Sequence, residues 1–382
     1  MAAAMPFFSA ALSAGPPADP RLRLVSLALV AIGALGVAGG FAAGLDPLAA
    51  VSGATYVVGL VALLAAMLQP LRAGLGPRGG LIVVAYAVAV VDVVAGAALA
   101  TSFVGGWGPV VGAWATLKPA HAWLNLLGFL SLVIAGSLIH LLPTVLGTRI
   151  RSGWPLRFTV GGTVIGAPAV ALGFALGSDL LVRLGGLAAM AGAVGLLGYG
   201  FDTWRARGHW TTDPGWHRFV SGQLLGAIGW YAAAQALAGG RALVIGARPD
   251  AWRLEDVAGP LVLGWVVGAI LGAWTHLLPA VGPGDGPAHA AQRRRLATGA
   301  TIRLAGFQLG VAVLTVASVT GAGGALASLL GLSVADASTA AGFGLALAGA
   351  AALADVALLL GAMLQVRGRP PSQREGARPD AT

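Results

Sequence analysis

The sequence predicts an all-α polytopic membrane protein of about ten transmembrane helices, with an internal parallel repeat and both termini cytoplasmic. Three observations carry that prediction. Only 10% of the residues are charged against 57% hydrophobic, whereas a water-soluble domain carries about 25% charged residues. That is too little charge to coat a water-facing surface, and the mean hydropathy is +0.84. Apolar segments recur at the length of roughly 20 residues that a bilayer demands. The basic residues, finally, gather in alternate loops, as the positive-inside rule requires. The net charge of +9 is thus put to use in topology, and nucleic acid is not an expected partner. Cysteine is absent, which excludes disulfides, iron–sulfur clusters and thiolate metal sites.

In chain order, residues 1–20 are rich in Ala and Pro and uncharged until Asp19. They lack the basic start of a signal peptide and read as a flexible tail. The membrane domain is predicted over 21–366, and the polar end, 367–382, reads as a disordered cytoplasmic tail. Spans are expected at 24–44, 49–69, 80–102, 120–143, 157–177, 180–202, 217–238, 257–280, 301–320 and 340–365, with a short interfacial or re-entrant segment at 325–335. Loop charges support each boundary. Arg72 and Arg78 follow the second span, Arg149 and Arg151 the fourth, and Arg205 and Arg207 the sixth; Arg293, Arg294 and Arg295 follow the eighth, and Arg367 and Arg369 the tenth. Loops 45–48, 178–179 and 321–339 hold no Lys or Arg, and 103–119 holds only Lys118. Loop 239–256 departs from the pattern with Arg241, Arg248 and Arg253, accompanied by Asp250, Glu255 and Asp256.

The fourth and eighth spans end in the same four residues, His140-Leu141-Leu142-Pro143 and His276-Leu277-Leu278-Pro279. At the same offset Leu127-Gly128 aligns with Leu263-Gly264, Gly136 with Gly272 and Val145 with Val281. Both spans run in the same direction, so the repeat is parallel. Histidine occurs only six times in the chain, and an imidazole in a span is costly without a purpose. Two imidazoles at matching depth could grip one metal, either as a bis-His ligated b-type haem or as copper with His217 as third ligand. The competing reading is that each His caps its helix C-terminus. His121 begins the fourth span, about 28 Å along the helix from His140, so the two cannot share an ion. Asn125 shares its face. Pro143 and Pro279 are expected to end their helices, and His209 and His289 to lie in solvated loops. Asp92 and Asp355 fall in mid-span, where an unpaired charge costs several kcal/mol. They are candidates for a proton pathway, with Arg183 and Arg303 as conceivable partners. Gln223, Gln235 and Gln308 suit interhelical hydrogen bonds. Trp107, Trp114, Trp123, Trp154, Trp204, Trp210, Trp216 and Trp274 read as an interfacial belt.

The stretch from His121 to Arg151, with His121-Ala122-Trp123-Leu124-Asn125 and His140-Leu141-Leu142-Pro143-Thr144, resembles subunit I-like proteins of the haem–copper oxidase superfamily. It is nearest to the nitric oxide reductase-like and NnrS-like members and to the membrane portion found with actinobacterial copper nitrite reductases. The resemblance implies a haem role for His121, a bacterial plasma membrane, and a copper oxidase or nitrite reductase as partner. Trp123 stands where many relatives carry a second His, and neither a Trp-x-x-His-Pro helix nor an adjacent His pair is present, so oxygen reduction with proton pumping is not expected. The expected function is a membrane haem or haem/copper protein of redox or nitrogen-oxide metabolism. The alternatives are a proton- or metal-coupled transporter and a non-catalytic membrane anchor for a copper oxidase. No residue is assigned to catalysis.

Overall fold

The computed structural model describes residues 10, 15–73, 80–150, 152–208, 215–282, 284–321 and 334–367. Most of the two predicted tails, most of the short apolar segment 325–335, and His209 and Trp210 lie outside them. Among the described residues every regular element is helical. In order they are α1 (Pro20–Ala43), α2 (Asp46–Ala73), α3 (Gly80–Val104), α4 (Gly108–Gly112), α5 (Trp114–Ala122), a π-helical stretch (Trp123–Leu130), α6 (Ser131–Val145), α7 (Trp154–Leu176), α8 (Asp179–Arg205) and α9 (Trp216–Ile245). After a 3-10 turn (Pro249–Ala251) follow α10 (Leu254–Val257), a second π-helical stretch (Ala258–Val267), α11 (Gly268–Val281), α12 (Gly286–Leu296), α13 (Ala300–Gly321) and α14 (Val334–Arg367).

Nine helical segments among the described residues are long and apolar enough to cross a bilayer. They match nine of the ten expected spans, and the chain is an all-α polytopic membrane protein. The tenth expectation, 217–238, is the helix α9. Its 30 residues suffice in length, but Gln223, Gln235 and their small neighbours leave it less apolar than the rest. Large apolar side chains point outward, among them Ile302, Leu35 and Leu353, at 80%, 74% and 71% exposure. Such a surface suits lipid, not water.

The start of α1 shows how the sequence sets a boundary. Asp19 is its N-cap, with its carboxylate accepting from the Arg21 and Leu22 amides, and Pro20 fills the first turn, where an amide would have no partner. At the irregular loop 239–256, α9 absorbs Arg241, whose guanidinium donates to the Asp250 carbonyl, and Arg248 pairs with the Asp250 carboxylate at 3.5 Å. The Asp250 carboxylate thereby offsets part of the positive charge that sets this loop apart from the charge alternation. The Arg293–Arg295 run lies in the last turn of α12, where cations complement the helix dipole. His289 lies on that helix rather than in a solvated loop, its Nε2 3.2 Å from the Gly282 carbonyl.

The chain divides into two compact units, and the division falls inside α6, α8 and α9. The first has a core built from Leu60, Leu63 and Met67 of α2, Tyr86, Ala89 and Val93 of α3, and Phe129, Leu132 and Ile139 of the fourth span. The second has a smaller core around Leu271, Phe307, Val311, Ala348 and Ala351. Glycine brings the helices together in both. A methyl on Gly162 would stand 2.5 Å from the Ala188 carbonyl and Gly192 amide of α8, and one on Gly344 would stand 2.6 Å from the Leu314 amide of α13. Small residues at helix contacts are the membrane's route to dispersion energy, since lipid offers no hydrophobic gain on association.

The internal repeat extends to the backbone. The fourth and eighth spans both pass from α-helix through a π-helical stretch and back. The offset that sets His140 on His276 carries 123–130 onto 259–266, inside the second stretch. Each copy also packs its two glycines on the long helix preceding it. Gly128 and Gly136 meet α3 at Asp92 and Tyr86; Gly264 and Gly272 meet α9 at Trp230 and Leu224. π-helical insertions are rare and concentrate at functional sites, and here both copies of the duplicated span hold one.

Candidate functional site

The duplicated prolines do not end their helices. α6 continues to Val145 and α11 to Val281, two residues beyond Pro143 and Pro279. A proline inside a helix lacks the amide that would bond the carbonyl four residues earlier. The carbonyls so released belong to Ile139 and Thr275, the residues immediately before His140 and His276. Both are captured. The Tyr199 hydroxyl donates to the Ile139 carbonyl at 2.7 Å, and Trp216 Nε1 donates to the Thr275 carbonyl at 2.8 Å. Neighbouring helices thus satisfy what each proline frees, as membrane helices require. Both donors were missed by the sequence reading, and Trp216 is 7% exposed rather than part of an interfacial belt. Counting four residues back from each proline was the signal that could have located the two acceptors. Tyr199→Phe and Trp216→Phe each leave a buried carbonyl unpaired and are expected to cost about 1–3 kcal/mol. Unfolding of the detergent-solubilised variants in SDS measures this, and wild-type midpoints would remove the capture argument.

Around His276 the second unit assembles an aromatic–imidazole cluster. The Trp216 indole stacks on the His276 ring at 5.5 Å and 14°, and meets the His217 ring edge-on at 4.4 Å. The Arg293 guanidinium lies 6.0 Å over the same indole. His140 Nε2 and His276 Nδ1 are buried without a hydrogen-bond partner among the described residues, as is the Thr275 hydroxyl. Neither ring therefore spends that nitrogen on a helix cap, the competing role considered for it. No three His, Asp or Glu side chains among the described residues gather closely enough to hold a metal ion, so His217 does not complete a three-ligand copper site with His140 and His276.

A second polar cluster lies in the first unit, where α3 meets the fourth span. His121 Nδ1 is 2.8 Å from the Gly96 carbonyl and 3.1 Å from Asn125 Nδ2, which also donates to the His121 carbonyl at 2.7 Å. The Trp114 ring stands 5.9 Å from the imidazole. Two notches receive the polar side chains: Asn125 fills the space a methyl on Gly96 would take, and Asp92 that of a methyl on Gly128. Asp92 is 3% exposed and its Oδ2 has no hydrogen-bond partner among the described residues.

The other expected residues have structural settings. Asp355 forms an ion pair with Arg303, both buried. Arg303 also donates to the Thr298 and Leu296 carbonyls and lies 4.5 Å over the Phe219 ring. Asp355 is therefore paired with a buried cation, and the depth of Arg303 proves sufficient to reach it. Arg183 is not available to Asp92; it stands 3.9 Å from Asp179 at an exposed site. Trp230 Nε1 donates to Gln308 Oε1 at 2.6 Å, and Gln308 Nε2 to Gln223 Oε1 at 3.1 Å, the interhelical bonding expected of these glutamines. Trp107, Trp154, Trp204 and Trp274 are exposed as a belt requires, whereas Trp123 is buried at 1% and stands 6.3 Å from Trp252. No family model, no curated protein and no solved structure matches the chain.

Proposed function

We propose that the chain is an integral membrane haem protein of redox or nitrogen-oxide metabolism, in which His140 and His276 would hold a b-type haem. The observation that carries this reading is the pair of buried ring nitrogens without partners, His140 Nε2 and His276 Nδ1, at equivalent positions of a repeat whose two copies share a π-helical stretch and a captured carbonyl. A buried imidazole nitrogen that makes no hydrogen bond to the protein is suited to ligating a metal. The resemblance of 121–151 to the haem–copper oxidase superfamily supports the same cofactor. When bound between these residues, haem supplies one-electron redox chemistry or a site for a small nitrogen oxide. The protein's own residues position the ligands. Trp216 holds the backbone before His276 through the Thr275 carbonyl and fixes the ring by stacking, and Tyr199 holds the backbone before His140 through Ile139.

Visible absorption of protein purified after haem-supplemented expression tests the reading. A Soret band that shifts on reduction is expected. His140→Ala and His276→Ala should each remove most of it, and Trp216→Phe should weaken haem retention about 10-fold, the usual effect of a partner that orients a ligand. A preparation without the band, or alanine variants with full haem content, overturns it. The resemblance adds a copper oxidase or nitrite reductase as partner, which co-purification tests. A second reading, proton-coupled transport, is favoured by one observation, the unpartnered carboxylate oxygen of Asp92 within a span.

A further inference from the structure

We infer that Asp92 is a proton-exchange site inside the membrane domain, reached from the surface at the His121 end of the fourth span, with His121 as the relay and Asn125 as its positioning residue. The argument starts from the backbone. α3 and the fourth span lie against each other in antiparallel register, so that Gly96 stands opposite His121 and Asn125, Asp92 opposite Gly128, and Tyr86 opposite Gly136 and Ser137. Two glycines, one on each helix, open notches at successive levels of this contact. Both notches are filled by polar side chains where alanine or leucine would have packed without desolvation. The outcome is a ladder from His121, half-exposed at the end of the span, through Asn125, to Asp92 one turn deeper on α3.

His121 is suited to passing a proton. Its Nδ1 faces a pure acceptor, the Gly96 carbonyl, and a pure donor, the Asn125 amide, both within hydrogen-bond distance. With a proton on Nδ1 the ring donates to Gly96; without one it accepts from Asn125. Nδ1 therefore has a partner whether or not it carries the proton, with no movement of the backbone. Asp92 has the complementary property. Its Oδ2 is buried and unpartnered, so a proton, not a neighbouring cation, is what can neutralise it. The tyrosines of this core are Tyr56 of α2, Tyr86 of α3 and Tyr199 of α8; Tyr86 bonds Ser137 and Tyr199 bonds the Ile139 carbonyl. Lys118 stands one turn before His121, towards the surface.

In the forward step His121 takes a proton at Nε2 from surface water and gives up the proton on Nδ1. That proton passes along the contact between α3 and the fourth span by way of bridging water and arrives on Asp92 Oδ2. The net change is one proton moved from surface water to the carboxylate, and the reverse steps return it. Loop charges predict that this surface is the non-cytoplasmic one.

Infrared spectroscopy of the full chain in liposomes tests the proposal through the C=O stretch of the protonated Asp92 carboxyl, assigned by its absence in Asp92→Asn. The band is expected to shift on transfer to D2O and to follow bulk pH. In His121→Ala its exchange should slow about 100-fold, the lower range of what a positioned acid–base group contributes. A band insensitive to D2O and pH, or exchange in His121→Ala at the wild-type rate, overturns the relay. A second measurement does not depend on that variant. The chain has no cysteine, so Asn125→Cys introduces the only thiol. Labelling by a small membrane-impermeant thiol reagent from the non-cytoplasmic side is expected; labelling from the cytoplasmic side alone, or none, overturns the access route. Both readouts are independent of the Soret band, so this proposal and the haem reading fail separately.

Discussion

Replacing Asp355 with alanine is expected to destabilise the protein by about 3–5 kcal/mol, the usual result of leaving one member of a buried ion pair alone. Arg303 would remain buried beside Phe219, with two backbone carbonyls as partners and no counter-charge. Removing both charges is different, because a well-packed apolar pair has no desolvation penalty to recover. Arg303→Met with Asp355→Leu should therefore retain most of the wild-type stability, and a double-mutant cycle should report a coupling of more than about 2 kcal/mol. Unfolding of the four proteins in SDS gives all the terms. Additive losses would mean that the two residues act separately and that Asp355 has another role.

The second large effect concerns two adjacent glycines of α7. A methyl on Gly161 meets nothing within 4 Å, whereas one on Gly162 would stand 2.5 Å from the Ala188 carbonyl and the Gly192 amide. The obstruction at Gly162 is backbone, which cannot rotate aside. Gly162→Ala is expected to force α7 and α8 apart and cost about 1–3 kcal/mol. Gly161→Ala should gain up to about 1 kcal/mol, because alanine is the better helix former and restricts the unfolded chain. Thermal midpoints of the two variants measured side by side check this. Equal midpoints would show that α7 and α8 do not pack through this notch.

The same glycines show why one part of the protein was legible in its sequence and another was not. Abundant Gly and Ala could be read as suited to close packing, but Gly161 and Gly162 are chemically identical, and only the neighbour on α8 distinguishes them. Span positions could be read because hydropathy along one helix depends on that helix alone, and loop arginines mark the ends. The one span that falls short of the others, α9, is the one whose Gln223 serves a partner on another helix, Gln308 of α13. Repetition in the sequence pointed to His140 and His276, and one ring nitrogen of each is buried without a hydrogen-bond partner among the described residues. It misjudged the prolines, because whether Pro143 ends a helix depends on whether Tyr199 is there to take the Ile139 carbonyl.

Asp92 and Asp355 draw the line most clearly. Each is a lone acid in an apolar run, and along the chain their surroundings are indistinguishable. Tertiary structure separates them: Arg303 pairs with Asp355, while Asp92 faces Gly128 below a histidine and an asparagine and has no ion pair among the described residues. The chain's own residues set the membrane architecture and the repeat, and marked Asp92 and Asp355 as the lone acids of their apolar runs. These follow from the free energy of transfer into lipid, which is summed residue by residue. Only the tertiary structure decided which of those residues are neutralised and which remain open, since pairing is a property of two helices and is written in neither alone.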